Sequence, residues 1–259
     1  MVGRRRVQEA LRTTCPPHPG AGPDHHTGSV TTTTRRDVSI PSGDRVLIAT
    51  TVAATPPGRA GVLFVHGLGS SRSTNVGRAD AVCRASGATC LAVDLGGHGD
   101  SGGRLTQMTP RQNMADVVAA FDALAASPGV DPTRIGVCAA SFGAYLSILL
   151  SAVRPVNRML LRAPALYADD CFDLGLSQRR PGDTGSASTV LAHLAVFPGR
   201  VRIVESEHDE VIAREVIATY LAARPGAEHV VLANARHALT DPAWRADFEQ
   251  MVVSEFRSL

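Results

Sequence analysis

The chain has 259 residues, 44% hydrophobic and 19% charged, which is enough apolar content for one sizeable core and too much for a disordered chain. Its formal net charge is +2, all 26 basic residues are arginine, and no block of five like charges occurs, which argues against nucleic-acid or membrane capture by charge. No apolar run is long enough to span a bilayer. The five cysteines (Cys15, Cys83, Cys90, Cys138 and Cys171) lack zinc-site spacing and disulfide-scaffold density, so a reduced, cytoplasmic protein is expected.

Residues 1–34 mix Pro, Gly, Thr and His with few large apolar groups and are expected to form a flexible tail, without the apolar stretch of a secretory signal. One domain is expected over 35–259. It opens with a hairpin, because "RRDVSI" and "RVLIATTVA" are β-branched runs flanking the turn residues "PSGD". "GVLFV" (61–65) then reads as a buried strand, followed by a helical pattern near 74–86 and a second strand, "TCLAVD" (89–94). A helix over 110–127 starts at Thr109-Pro110, a capping residue followed by Pro at the first helical position.

"RIGVCAA" (134–140) is the next strand, and Ser141 stands between it and a helical run over 142–153. "RMLLRA" (158–163), "RVRIVES" (200–206) and "EHVVLAN" (228–234) complete the strands, with helices near 211–224 and over 242–258, the last opening at Asp241-Pro242. Short continuous apolar strands alternating with amphipathic helices predict an α/β fold: a mostly parallel, doubly wound sheet of about eight strands, covered by helices on both faces. Only 165–198 breaks the rhythm. It is rich in Gly, Ser and Asp and has the length of a short cap insertion.

In such a sheet ligands gather at the carboxyl ends of the strands. Those ends read "HGLGSS", "DLGGHGDSGG", "SFGAYLS", "SEHDEV" and "ARHALTD", so glycine and polar residues collect where a site belongs. Taken alone, Ser141 has two readings of equal standing: the N-cap of the following helix, or a nucleophile.

These strand ends resemble those of the α/β-hydrolase family, in the order Ser, Asp, His, over roughly residues 36–259. Against the family's G-x-S-x-G elbow the chain has Ala139-Ala140-Ser141-Phe142-Gly143, with alanine in place of the first glycine. The resemblance implies Ser141 as nucleophile, His237 as general base and Asp209 as orienting acid. Glu207 is the runner-up for the acid, and Asp169 and Asp170 are weaker options. It implies an oxyanion hole from the backbone N–H groups of Leu68 and Phe142, with His66 and Gly67 shaping the loop. Asp94 and His98, in the "DLGGHGDSGG" turn, are implied to be structural.

The expected reaction is cleavage of a carboxylic ester, thioester or amide through an acyl-enzyme, in a branch similar to serine esterases and peptidases with a short cap. A small acyl molecule is the expected partner, with no cofactor and no metal. Two alternatives stay open: an acyltransferase, thioesterase or cyclase using the same triad, and a non-catalytic ligand-binding member of the fold. In the inserted segment Arg179-Arg180 is a candidate to meet an anionic substrate group, although an exposed basic pair is more often solvated, and Cys171 is a candidate to approach the pocket.

Overall fold

The computed structural model describes residues 32–178 and 189–259. The expected tail up to residue 31 and the Arg179-Arg180 pair lie outside the described residues. Strands β1 (Thr33–Ser42) and β2 (Arg45–Ala54) form the predicted antiparallel hairpin, closed by a two-residue turn in which Gly43 adopts φ +59°. A glycine at the first turn position with positive φ matches the twist of the paired strands. The hairpin begins earlier than expected, since Thr33 and Thr34 pair with Ala54 and Ala53, and the Thr33 hydroxyl donates to the buried Asp80 carboxylate at 2.7 Å. The sequence reading places these two threonines at the end of the expected tail. Their β-branched side chains are good strand formers once a partner strand lies beside them.

The remaining strands are β3 (Gly61–Val65), β4 (Thr89–Val93), β5 (Ile135–Ala140), β6 (Val156–Arg162), β7 (Arg200–Ser206) and β8 (Glu228–Leu232). They complete one eight-stranded sheet of order β1-β2-β4-β3-β5-β6-β7-β8, parallel from β4 to β8. Strands β3, β4 and the first five residues of β5 are wholly buried, which is why they read as continuous apolar runs rather than alternating ones.

Helices α1 (Ser73–Ser86) and α6 (Pro242–Phe256) cover one face, where Val82 and Cys83 meet Phe248, Val252 and Phe256. The other face carries α2 (Pro110–Ala125), α3 (Phe142–Leu150), α4 (Thr189–Val196) and α5 (Arg214–Ala223) over a core that includes Leu63, Val137 and Leu161. Thr109 caps α2 with a full capping box, and Asp241 caps α6.

Helix α4 revises the reading of the inserted segment. Val190 and Leu194 are fully buried in the core and α4 packs against α3 and α5, so this part is the crossover between two parallel strands. Parallel neighbours require such a crossover. The earlier part forms two short 3-10 turns, Asp169–Asp173 and Leu176–Gln178, and Arg111 ties Asp173 to α2.

The order reverses at β3: the chain leaves β3 for β4 on one side and returns to β5 on the other. The helices after β3 and β5 lie on opposite faces, which opens a crevice at the carboxyl ends of these two strands.

Candidate active site

Ser141 occupies that crevice, in the turn between β5 and α3. Its backbone stands at φ +51°, ψ −120°, a conformation that non-glycine residues avoid, and its side chain makes no capping hydrogen bond to α3. The N-cap reading is therefore set aside. Hydrogen bonds hold the turn on all sides. The Ser141 N–H donates to Arg162 O, and Ser141 O accepts from the N–H groups of Ala144, Tyr145 and Ala165.

Small residues surround the turn because backbone passes close by. A side-chain carbon at Gly143 would come within 2.4 Å of His66 O and 2.7 Å of Val65 O. One at Gly67 would lie 3.2 Å from Ser141 Cβ. Ala139 is buried, so the methyl that replaces the family's first glycine is accommodated. Leu68 follows Gly67 in the loop after β3, and Phe142 is the first residue of α3, at the helix's positive end.

His237 lies in the loop between β8 and α6, and Asp209 in the loop after β7. The two are joined: His237 Nδ1 lies 2.9 and 3.0 Å from the Asp209 carboxylate oxygens. Oδ1 of Asp209 also accepts from the Val211 and Ile212 N–H groups at 2.9 and 2.8 Å. Burial opposes ionisation of this carboxyl, but the hydrogen bonds from His237, Ile212 and Val211 outweigh it and hold its pKa below the ordinary value.

The other acids nearby are committed elsewhere. Glu207 accepts from the Asn234 N–H at 2.7 Å, Glu210 from the His237 N–H at 3.2 Å, and Glu205 faces His229 at 2.8 Å. Asp169 accepts from the N–H and hydroxyl of Thr189 at the start of α4, and Asp170 is exposed.

Ser141 and His237 line one cavity of about 660 Å³, together with Gly67 and Leu68. Among the described residues no hydrogen bond joins the Ser141 hydroxyl to the imidazole. Cys171 is buried and is not among the residues lining this cavity.

His66 lines the cavity, and the His98 ring packs against the His66 ring. The Leu95 N–H donates to His66 Nε2 at 3.1 Å, which leaves Nδ1 as the protonated nitrogen, 2.7 Å from Gly67 O. Burial keeps His66 neutral, lowering its pKa to about 4, and likewise lowers that of His98, whose ring lies 4.8 Å from it. Asp94 accepts from the Arg72 backbone and guanidinium and from the Asp100 N–H, which ties the second glycine-rich turn to the start of α1.

One residue with a bearing on the site escaped the sequence reading. Arg162, at the carboxyl end of β6, lines the cavity, and its Nη1 donates to His237 O at 2.9 Å and to Ser206 Oγ at 3.3 Å. The signal for it is a charged residue directly after the apolar run Met159-Leu160-Leu161, at the carboxyl end of a strand, where ligands gather.

Comparisons with known proteins agree with this architecture. No curated protein matches the chain. Among solved structures, a Pyrococcus furiosus esterase is 20% identical with a TM-score of 0.65, covering 85% of this chain and 91% of its own. The thioesterase domain from the curacin biosynthetic pathway is 14% identical with a TM-score of 0.66, covering 85% and 99%. A serine hydrolase homologue from Coxiella burnetii is 17% identical with a TM-score of 0.66, covering 85% and 96%. At these identities the likeness speaks for the fold. The model of the family described as serine aminopeptidase S33 matches residues 56–195, more than half of the chain and including Ser141. With an eight-stranded, mostly parallel sheet and a serine in the turn after its fifth strand, the chain belongs to this family of α/β hydrolases.

Proposed function

We propose that the protein is a serine hydrolase that cleaves a carboxylic ester, thioester or amide through an acyl-enzyme on Ser141. The observation that carries this reading is the Asp209–His237 pair at 2.9 Å, whose imidazole lines the same cavity as the strained, uncapped Ser141.

In this reading His237 takes the proton of the Ser141 hydroxyl as the oxygen attacks the acyl carbon. Asp209 holds the ring with Nδ1 protonated, so that Nε2 is the basic nitrogen, and its negative charge stabilises the imidazolium that forms. The negative oxygen of the tetrahedral intermediate is received by the backbone N–H groups of Leu68 and Phe142, aided by the positive end of α3. His237 then protonates the leaving group, and water attacks the acyl-enzyme along the same path in reverse. The strain at Ser141 supports the assignment, since a backbone conformation of this kind is kept where it aims a side chain at a ligand.

The test is to expose the folded protein to a fluorophosphonate and map the modified residue, with a panel of p-nitrophenyl esters for turnover. Labelling of Ser141 that is lost in Asp209→Asn and His237→Ala is the expected result. Labelling elsewhere, or none on folded protein, overturns the mechanism and favours a ligand-binding role.

A further inference from the structure

The cavity at Ser141 runs past the proposed triad, between α1 and α6. Its lining carries three arginines, Arg78 of α1, Arg162 of β6 and Arg245 of α6, against one acidic side chain, Glu249. Two of the arginines share a wall. The Arg78 guanidinium stands 5.0 Å from the centre of the buried Phe248 ring and that of Arg162 stands 5.7 Å from it.

Among the described residues neither guanidinium has a carboxylate within 4.0 Å. The described hydrogen bonds of Arg162 use only Nη1, and those of Arg78 only Nη1, to Thr74 O and Asn75 Oδ1, while the buried Arg78 Nε has no partner. Burial lowers the pKa of Arg162 to about 10, the charge of Arg78 adding to the shift and that of Asp209 opposing it without cancelling it. A buried, unpaired cation is expensive to keep, and contact with one aromatic face compensates only a part of that cost. A forked oxyanion matches what is left over: the remaining N–H donors and the positive charge.

We propose that this cavity binds an anionic group of the acyl substrate, a carboxylate or a phosphate, received by Arg162 and Arg78 above the Phe248 ring. The reaction part of this statement rests on the serine-hydrolase reading; the anion part rests on the arginine pair. A substrate with a cationic amine at this end is disfavoured, because it would meet two positive charges.

The test compares kcat/KM within two pairs of substrates on the full chain. In the first pair, p-nitrophenyl hemiglutarate is set against p-nitrophenyl valerate, which places a carboxylate on the acyl side. In the second, butyryl-coenzyme A is set against the N-acetylcysteamine thioester of butyrate, which places phosphate on the leaving group. The expected result is a preference for the anionic member in one pair of about ten- to a hundredfold, the range of one or two hydrogen bonds to a charged group. That ratio should fall at least tenfold in Arg78→Gln. Arg78 is the arginine to change because Arg162 also holds the His237 carbonyl. The ratio cancels any general loss of activity in the variant.

Turnover of the neutral esters with no preference in either pair overturns the inference while leaving the hydrolase reading intact. Calorimetric titration with glutarate and with inorganic phosphate separates the two failures. If Ser141 is not labelled by fluorophosphonate and no ester is turned over, saturable anion binding that is lost in Arg78→Gln still supports the anion site, and absence of binding overturns it.

Discussion

Oδ1 of Asp209 accepts three hydrogen bonds at once, from His237 Nδ1 and from the backbone N–H groups of Val211 and Ile212. Glu207, two residues earlier, spends its carboxylate on the Asn234 N–H. The first arrangement fixes an imidazole; the second braces a loop.

Asp209→Asn is therefore expected to lower turnover by on the order of ten-thousand-fold, the effect of the equivalent change in a serine-protease triad, because an amide favours the wrong ring tautomer. Glu207→Gln should change turnover by less than about tenfold, since an amide oxygen still accepts from Asn234. Ester kinetics on both variants, each checked for folding by circular dichroism, decide the matter. A reversed ranking makes Glu207 the acid.

Ser141→Gly and Ser141→Ala both remove the hydroxyl, yet they should differ in stability. At φ +51°, ψ −120° an L side chain costs about 1–3 kcal/mol, and glycine does not carry that cost. Both variants should lose activity, with Ser141→Gly the more stable of the two by about 1 kcal/mol in urea unfolding. Equal midpoints would show that the elbow is unstrained.

Gly143→Ala and Gly77→Ala place the same methyl in two helices and should act in opposite directions. At Gly77 nothing lies within 4 Å of the new carbon, so the helix gains about 0.5–1 kcal/mol. At Gly143 the methyl meets two backbone carbonyl oxygens of the β3 end at under 3 Å. Relief requires α3 to move away from β3, and a loss of 2 kcal/mol or more is expected. Thermal melts of the two variants against wild type check the sign of each.

Buried His66 makes folding stability depend on pH. Its folded pKa of about 4 lies below the ordinary 6.5, so between these values the unfolded chain binds a proton that the folded chain excludes. Stability rises with pH across this window, and about 3 kcal/mol is lost as pH falls from 6.5 to 4. His66→Gln keeps a donor and an acceptor without titrating. It should be weaker than wild type at pH 7, yet lose less between pH 7 and pH 4.5 in denaturant titrations. Parallel pH profiles for the two proteins would sink this assignment.

The sequence was most legible where a residue's role depends on its neighbours along the chain. Continuous apolar runs announced the buried strands, Thr109-Pro110 and Asp241-Pro242 announced helix starts through local capping, and glycines at strand ends announced turns. Ser141, His237 and Asp209 were singled out by the resemblance to α/β hydrolases, and each follows a strand of a parallel sheet, whose strands deliver their carboxyl ends to one edge.

What the tertiary structure alone decided are the choices that turn on distance through space. Ser141 as elbow or cap has the same local sequence either way, and only its φ of +51° and its missing capping bond separate the two. Four acids fall within six positions, and the carboxylate of Asp209 is the one that meets the His237 ring because the loops after β7 and β8 run side by side. Thr33 and Thr34 become strand only against Ala54 and Ala53, twenty residues away in the chain. Arg78, Arg162 and Phe248 come from α1, β6 and α6, far apart in sequence, and their grouping on one cavity wall follows from two helices sharing the same face of the sheet. Local propensity and hydrophobic pattern act over a few residues and so are written in order along the chain. The pairing of buried charges and the choice between equivalent carboxylates depend on through-space distance, which exists only once the sheet has formed.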